Sequence, residues 1–566
     1  MSDHGQRVLR SQNWWHEPGY ESFTHRAWTR SEGFTEHFFD NKPVVGICNS
    51  WSEFNNCNAH LRVVAEAVKR GVLAAGGFPL EFPTISVGES FLPRQAPMLL
   101  RNLMAMDVEE CIRAYPMDSV VLLCGCDKTT PAQIMGAASA DVPAIVVPGG
   151  PMLSGVWRDR TLGSGTDGRK LYDLFRTGKL SEEEWCEIEC GISRSAGHCT
   201  VMGTASTMTS LAEALGMTLT GSANIPAPDS RRLAIAELSG RRAVEIAWEN
   251  IRPSSILTRA AIENAIIVDM AIGGSTNAVV HLLAIAGRLG ISLSLDDFDL
   301  ISRRTPWIAN IKPSGAFLME DLYYAGGVPA VMKELLPLLH GDAMTVTGKA
   351  VRDNVVNAKC YRPEVIRPLA EPLRSEGGTV ILRGNLAPDG AVLKQTAASP
   401  RLMQHRGKAF VFDNYQQMRE QIDRADLPVT KDSVLVMKLG GPKGAPGFPE
   451  WGHIPMPKVL LNQGVDDVVR ISDARMSGTS FGTVVLHVAP ESAVGGPLAA
   501  VQTGDEIELD VSGRRLELCV AEQELRRRIE ELPPVKAPYE RGYRRLFWDH
   551  VTQANLGCDF DFLRKA

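Results

Sequence analysis

Residues 119–140 read SVVLLCGCDKTTPAQIMGAASA, and their order decides how the first half of the chain folds. Ser119–Leu123 is a short apolar run, which predicts a buried strand. Pro131 begins a predicted helix through about Ala140, since proline is favoured in a first helical turn. Cys124–Lys128 lies between them, so two thiols, a carboxylate and an amine follow directly on the strand.

The same alternation extends outward. Val142–Val147 is the next predicted strand. Upstream, Pro43–Cys48 reads as a strand, His60–Ala75 as an amphipathic helix ended by Gly76-Gly77, Glu81–Val87 as a strand and Met98–Arg113 as a helix. Alternating strands and helices predict an α/β fold with a parallel sheet covered by helices on both faces. Ligands bind such sheets outside the carboxyl ends of their strands, where Cys126-Asp127-Lys128 falls. Helices dominate from about residue 181 to 336. Beyond Gly377 the texture changes to short strands: Thr379–Arg383, Ala409–Phe412, Val434–Lys438, Val468–Ser472, Thr483–Val488, Glu506–Val511 and Leu516–Val520. Turn sequences such as Pro388-Asp389-Gly390 separate them, and the pattern suits a barrel or sandwich. The expected division is an aromatic, charged arm over 1–40 that packs on a partner subunit, an α/β part over 41–370 and a β-rich part over 371–566. The boundary falls between Pro363 and Gly377.

A chain of 566 residues exceeds one ordinary core, and 44% hydrophobic with 22% charged residues are globular values. A formal charge of −6 and a pI near 6.1 argue against a nucleic-acid partner. The N-terminus lacks the apolar core of a secretory signal. Apolar runs such as Val120–Leu123 and Ala144–Val147 are too short to cross a bilayer, so a soluble protein without a membrane partner is expected. Eleven cysteines in a chain this long do not resemble a secreted disulfide framework; reduced thiols in a cytoplasm fit better.

Three of those cysteines have polar neighbours: Cys57 in Asn55-Asn56-Cys57-Asn58, Cys126 beside Asp127, and Cys199 in Gly197-His198-Cys199-Thr200. Thiolates are soft ligands suited to iron–sulfur clusters and carboxylates are hard ligands suited to Mg²⁺, so adjacent Cys and Asp can serve two metals. Three thiolates leave a cluster one ligand short, the open position that catalysis needs. Their spacing matches no CxxC pair, and a free cysteine alone reads as a small buried hydrophobe. Cys186 and Cys190 suit one helix face better than a zinc or redox pair. Cys48, Cys111, Cys124, Cys360, Cys519 and Cys558 read as structural.

Glu89, Asp127 and Glu450 are hard-metal candidates because each lies in a loop where side chains can converge on a ligand. Lys128 reads either as their ion-pair partner or, once carbamylated, as a metal neighbour. Gly440–Gly447 lacks the P-loop pattern and suits a tight loop that brings backbone near a ligand. Gly273–Asn277 reads as a loop and helix cap whose N–H groups could receive a carboxylate. Asp473–Ser480 resembles a turn; Ser477 lacks a GxSxG context and would act as a base only where cations stabilise its alkoxide.

These segments together resemble the IlvD/Edd family of iron–sulfur dehydratases. The resemblance is carried by GICNSWSEFNNCNAHL, SVGES, CGCDKTTPA, GHCTVMGTAST, DMAIGGSTNAVVHL, GGPKGAPGFPE and ISDARMSGTSFGTVVLHVAPE, in order over about residues 44 to 491. It implies an iron–sulfur and Mg²⁺-binding α/β domain, then a β-barrel domain that carries a catalytic serine and ends in a helical tail. It implies cluster ligands Cys57, Cys126 and Cys199, and Mg²⁺ ligands Glu89, Asp127 and Glu450 with Lys128 beside them. Ser477 would be the base, with Thr479 next to it. The DARMSGTSFG segment resembles the sugar-acid branch and departs from the DGRFSGG type of the branched-chain dihydroxy-acid enzymes.

The implied activity is that of a hydro-lyase converting an aldonate, such as L-arabinonate or D-xylonate, to a 2-keto-3-deoxy acid. The branch suggests a [2Fe-2S] cluster, and a [4Fe-4S] cluster is equally compatible with three thiolates. A homodimer or homotetramer, with the site near a subunit interface, is implied as well. The alternatives are a dihydroxy-acid dehydratase of branched-chain amino-acid synthesis, an electron-transfer iron–sulfur protein and a metal-free binding protein. An electron carrier would usually offer four protein ligands and no hard-metal carboxylates.

Overall fold

Val44–Asn49 (β1), Ser119–Cys124 (β3) and Ala144–Pro148 (β4) are buried at every residue, as strands covered on both faces must be. With Phe78–Pro83 (β2) they form a parallel sheet in the order β2-β1-β3-β4. The computed structural model describes residues 8–89, 91–93 and 96–565. Helices Leu61–Ala74 (α1), Pro97–Ala114 (α2) and Thr129–Ala140 (α3) connect the strands. The chain runs from β1 to β2 in one direction and from β3 to β4 in the other. The carboxyl ends of β1 and β3 therefore flank the switch point where ligands of such sheets bind.

Thr204–Ala214 (α4), Ser230–Glu249 (α5), Arg259–Ile272 (α6) and Asn277–Arg288 (α7) follow. α5 packs on α1 over one face of the sheet, and α2 packs on α3 over the other. The first contact depends on paired glycines: a Cβ on Gly71 would lie 1.9 Å from the Glu237 carbonyl oxygen, and one on Gly240 2.2 Å from that of Val68. α7 is buried on every side, so its polar residues Asn277, His281 and Arg288 lie inside the protein.

The sequence places a strand at Glu81–Val87, and the structure places it earlier, at Phe78–Pro83. β2 is an edge strand, half exposed and carrying Pro79 and Pro83, so it shows no clear apolar run. Residues 1–7 lie outside the described residues; beyond them, Trp15 of the helix Arg10–His16 and Phe38 of the short helical turn Glu36–Phe38 lie against Phe78 of the chain's own edge strand, with ring centroids 6.4 and 4.6 Å apart.

The second half contains a closed barrel. Its eight strands are Val380–Gly384 (β5), Ala387–Leu393 (β6), Gln404–Phe412 (β7), Val434–Met437 (β8), Val469–Ser472 (β9), Val484–Ala489 (β10), Glu506–Asp510 (β11) and Arg515–Leu518 (β12). They close in the order β8-β9-β10-β6-β5-β12-β11-β7 around a filling of Val, Leu and Ile. The segment Pro388-Asp389-Gly390, expected as a turn, lies inside β6. The turn is at Asn385-Leu386, because Asn385 is held by β12: its side chain accepts from Leu518 N at 2.7 Å and donates to Leu518 O at 2.9 Å. Helices Glu522–Glu530 and Tyr543–His550 end the chain. No helix among the described residues is long and apolar enough to cross a membrane.

Candidate active site

The loop after β1 carries Cys57, and the loop after β3 carries Cys126, Asp127 and Lys128. Gly125 is required between them, since a Cβ there would meet the Cys57 carbonyl oxygen at 2.5 Å. One cavity of about 440 Å³ opens at this switch point, with Cys57, Cys126 and Cys199 in its wall. The same wall contains Glu89, Asp127 and Glu450, and the loop after β9 adds Ser477 and Thr479. Lys128 lies fully buried behind it, within ion-pair reach of all three carboxylates. Nine residues named from six separate segments of the sequence are thus brought to one place.

The three thiols converge. Cys57 and Cys126 are in side-chain contact, and Cys199 lies close enough to Asp127 and Cys126 to feel their charge. The hydrogen bond with Cys126 and burial push the Cys57 thiol well above its ordinary value. Burial, with the charges of Asp127 and Cys126, pushes Cys199 up to about 12. Thiolates there need a cation, and a coordinating metal deprotonates its thiols outright. Three buried thiols facing one space are a donor set that fits an iron–sulfur cluster with one protein ligand missing.

The carboxylates form a second centre. Ligand oxygens of Glu89, Asp127 and Glu450 all lie within 4.8 Å of one another. Burial, then the charge of Glu450, lifts Glu89 to about 7, and burial also raises Asp127. Both Glu89 carboxylate oxygens are buried without a hydrogen-bond partner. Like charges held this close suit a hard divalent ion such as Mg²⁺. Lys128 Nζ lies 2.9 Å from Glu89 and 3.6 Å from Asp127 and Glu450, a close ion pair rather than an aligned hydrogen bond. Its ammonium competes with a metal for those oxygens, and a carbamate there would instead add to them.

Two residues that sequence reasoning missed organise this centre. Arg475 is fully buried and donates to Glu450 at 3.0 Å and to the Phe448 carbonyl at 2.6 Å, with Glu89 3.8 Å away. Asn277 is the N-terminal residue of α7; its amide nitrogen reaches Glu450 Oε1 and Thr204 Oγ1 at 2.9 Å and the Met476 carbonyl at 3.0 Å. In the Gly273–Asn277 segment the capping reading has support, since Ser275 Oγ accepts from the Asn277 N–H at 3.2 Å, and the Asn277 side chain is the group that reaches the chain's own Glu450. Nothing in the local sequence reveals either role, because neither residue type advertises burial.

Ser477 Oγ lies 3.0 Å from Thr479 Oγ1 and accepts a longer bond, 3.4 Å, from the Thr479 N–H. The loop is pinned where Thr166 Oγ1 donates to the Thr479 carbonyl at 2.7 Å. Gly478 fits because a Cβ would meet Thr204 N at 2.6 Å. In the Gly440–Gly447 loop the N–H groups of Lys443 and Gly444 donate to the chain's own Glu491, which fixes the turn. Cys186 and Cys190 are exposed on their helix.

A parallel α/β unit and a barrel share one cavity whose wall brings three thiols and three carboxylates together. Residues 42–354 match the family model described as dihydroxy-acid/6-phosphogluconate dehydratase N-terminal, and residues 364–558 match its C-terminal counterpart. The chain belongs to this family of dehydratases and has the hydro-lyase character that the family's name states. It is 55% identical to an L-arabonate dehydratase of Azospirillum brasilense, over 98% of this chain and 97% of that protein. It is 52% identical to an L-arabinonate dehydratase of Rhizobium leguminosarum bv. trifolii (strain WSM2304), over 99% and 96%. A 6-deoxy-6-sulfo-D-gluconate dehydratase of Pseudomonas putida is 48% identical, over 100% and 98%.

Proposed function

We propose that this protein removes water from a sugar acid, a 2,3-dihydroxy carboxylate such as L-arabinonate or D-xylonate, to give a 2-keto-3-deoxy acid. The observation that carries the proposal is the single cavity whose wall combines three thiols, three carboxylates and Ser477. The sugar-acid substrates named for similar proteins point the same way.

In this reading Cys57, Cys126 and Cys199 hold a [2Fe-2S] cluster, and Glu89, Asp127 and Glu450 hold Mg²⁺. When bound, these groups would supply Lewis acidity toward the C3 hydroxyl and the charge that a developing enolate needs. The chain's own residues do the rest. Ser477 Oγ, as alkoxide, takes the C2 proton, aided by the hydroxyl and N–H of Thr479, both of which can donate to it. The C2–H electron pair becomes the C2–C3 double bond as the C3–O bond breaks; the departing hydroxide takes up the proton held by Ser477 and leaves as water, and the enol rearranges to the keto acid by moving its O–H proton to C3. Asn277 fixes Glu450 relative to the Met476 carbonyl, immediately before the base. Lys128 serves as the charge partner of the triad until carbamylation converts it to a further oxygen donor.

The test is a panel of aldonates with 2,3-dihydroxyisovalerate, assayed on anaerobically purified, iron-loaded protein with Mg²⁺. Keto-deoxy product from an aldonate, and none from dihydroxyisovalerate, is the expected result. Turnover of dihydroxyisovalerate alone would move the protein to the branched-chain reading.

A further inference from the structure

A second cavity of about 530 Å³ adjoins the catalytic one, and the two share Arg169 and Glu450 in their walls. Three separate segments line both. The helix Thr166–Arg176 gives Arg169 to both cavities and Tyr172 to the second. The stretch from Glu450 continues to Trp451 and His453 in the second cavity, and the loop with Ser477 and Thr479 continues to Phe481 there. The cavities therefore meet at Arg169 and Glu450, between that helix and the loops of the barrel half.

Their chemistry differs sharply. The thiols, Glu89, Asp127 and Ser477 line only the first cavity. The second has aromatic faces, among them Trp451 stacked on Tyr415 at 4.1 Å, and charged side chains around them. Arg176 pairs there with Asp173 at 2.9 Å and Asp423 at 2.7 Å. Rings beside fixed polar groups bind and orient without reacting. Lys170 Nζ lies 5.0 Å from the centroid of the Phe481 ring, which ties the loop to the helix at this point.

We infer that the second cavity is the subsite for the non-reacting, polyhydroxylated end of the acid, and that Arg169 at the junction sets which chain lengths are accepted. The inference rests on the sugar-acid reading above. Binding energy from a remote part of a substrate is spent at the reacting centre, so this subsite should favour longer acids. A guanidinium donates in a fixed fork to hydroxyl or anionic oxygens of the chain.

The test compares holoenzyme with Arg169→Gln and Phe481→Ala on aldonates of four, five and six carbons. It reads kcat/KM, and where an acid is not turned over, its Ki against the fastest one. The expected result is a preference for the six-carbon over the four-carbon acid that falls roughly tenfold in Arg169→Gln, the loss of one hydrogen bond to a charged group. Phe481→Ala should shift the same ratio in the same direction. Equal losses at every chain length would overturn the inference, because Arg169 would then act at the reacting end or on the fold alone. An unchanged ratio in both variants would overturn it too. Wild-type protein that turned over no aldonate would sink the sugar-acid reading first, and this inference with it.

Discussion

Replacing Arg475 by Met removes the guanidinium that holds the carboxylate centre together. Its Nη1 lies 3.0 Å from Glu450, its Nε donates to the Phe448 carbonyl at 2.6 Å, and the side chain is fully buried. Breaking a buried pair by removing one partner costs about 3–5 kcal/mol, since the other charge stays buried without compensation. Glu89 is already lifted to about 7 by burial and by Glu450, with Lys128 and Arg475 opposing the rise. Without Arg475, Lys128 alone faces three carboxylates. A divalent ion restores the missing charge, so Mg²⁺ should rescue the variant more than it stabilises wild type. Ligand at a hundred times its Kd stabilises by about 2.7 kcal/mol, and each tenfold gain in affinity adds about 1.4. Urea unfolding midpoints of both proteins, with and without Mg²⁺, measure this directly. The variant's loss is expected to shrink by at least about 1 kcal/mol when Mg²⁺ is present. An equal loss in both conditions would show that the triad is not a cation site, and the reasoning would fail.

Three further outcomes are expected. Ser477→Ala should lose several powers of ten in turnover while keeping its iron and its unfolding midpoint, measured by product formation, iron content and denaturation; near-normal turnover by folded, loaded protein would remove the base assignment. Glu213 is buried and lifted from 4.5 to about 7 by burial, against hydrogen bonds from Gly221 and Ala223. The folded state therefore binds the extra proton, and stability present at low pH is lost as pH rises from 4.5 to about 7, by about 3 kcal/mol at 1.36 per pKa unit; that slope should be missing from Glu213→Gln and appear whole in the difference between wild type and variant. Gly71→Ala should destabilise by about 1–3 kcal/mol, because its Cβ meets backbone at 1.9 Å and the gain in helix propensity, at most about 1 kcal/mol, is smaller; thermal unfolding reads the sign.

What the sequence made legible follows from where physics writes itself locally. β1, β3 and β4 were visible because strands buried on both faces are unbroken apolar runs, and the polar loop after β3 stands out against them. β2 was displaced and β6 went unseen because an edge strand with two prolines and a strand containing Pro388-Asp389-Gly390 carry turn-like residues. In the second case a distant strand, β12, fixes the turn through Asn385, and no local pattern records that. The thiols and carboxylates were suggested by their polar neighbours and by family resemblance. Arg475 and Asn277 stayed hidden because their importance lies in burial and in partners far along the chain. The Arg169 junction was equally invisible, since it exists only where a helix and two barrel loops meet.

The most direct measurement is the EPR spectrum of reduced, iron-loaded Ser477→Ala protein with Mg²⁺, recorded before and after an aldonate is added. A signal that changes with the aldonate, and that is missing from Cys126→Ala, is the predicted result: the acid then reaches an iron held by these three thiols. A signal indifferent to every aldonate, or one that persists without Cys126, would contradict the account.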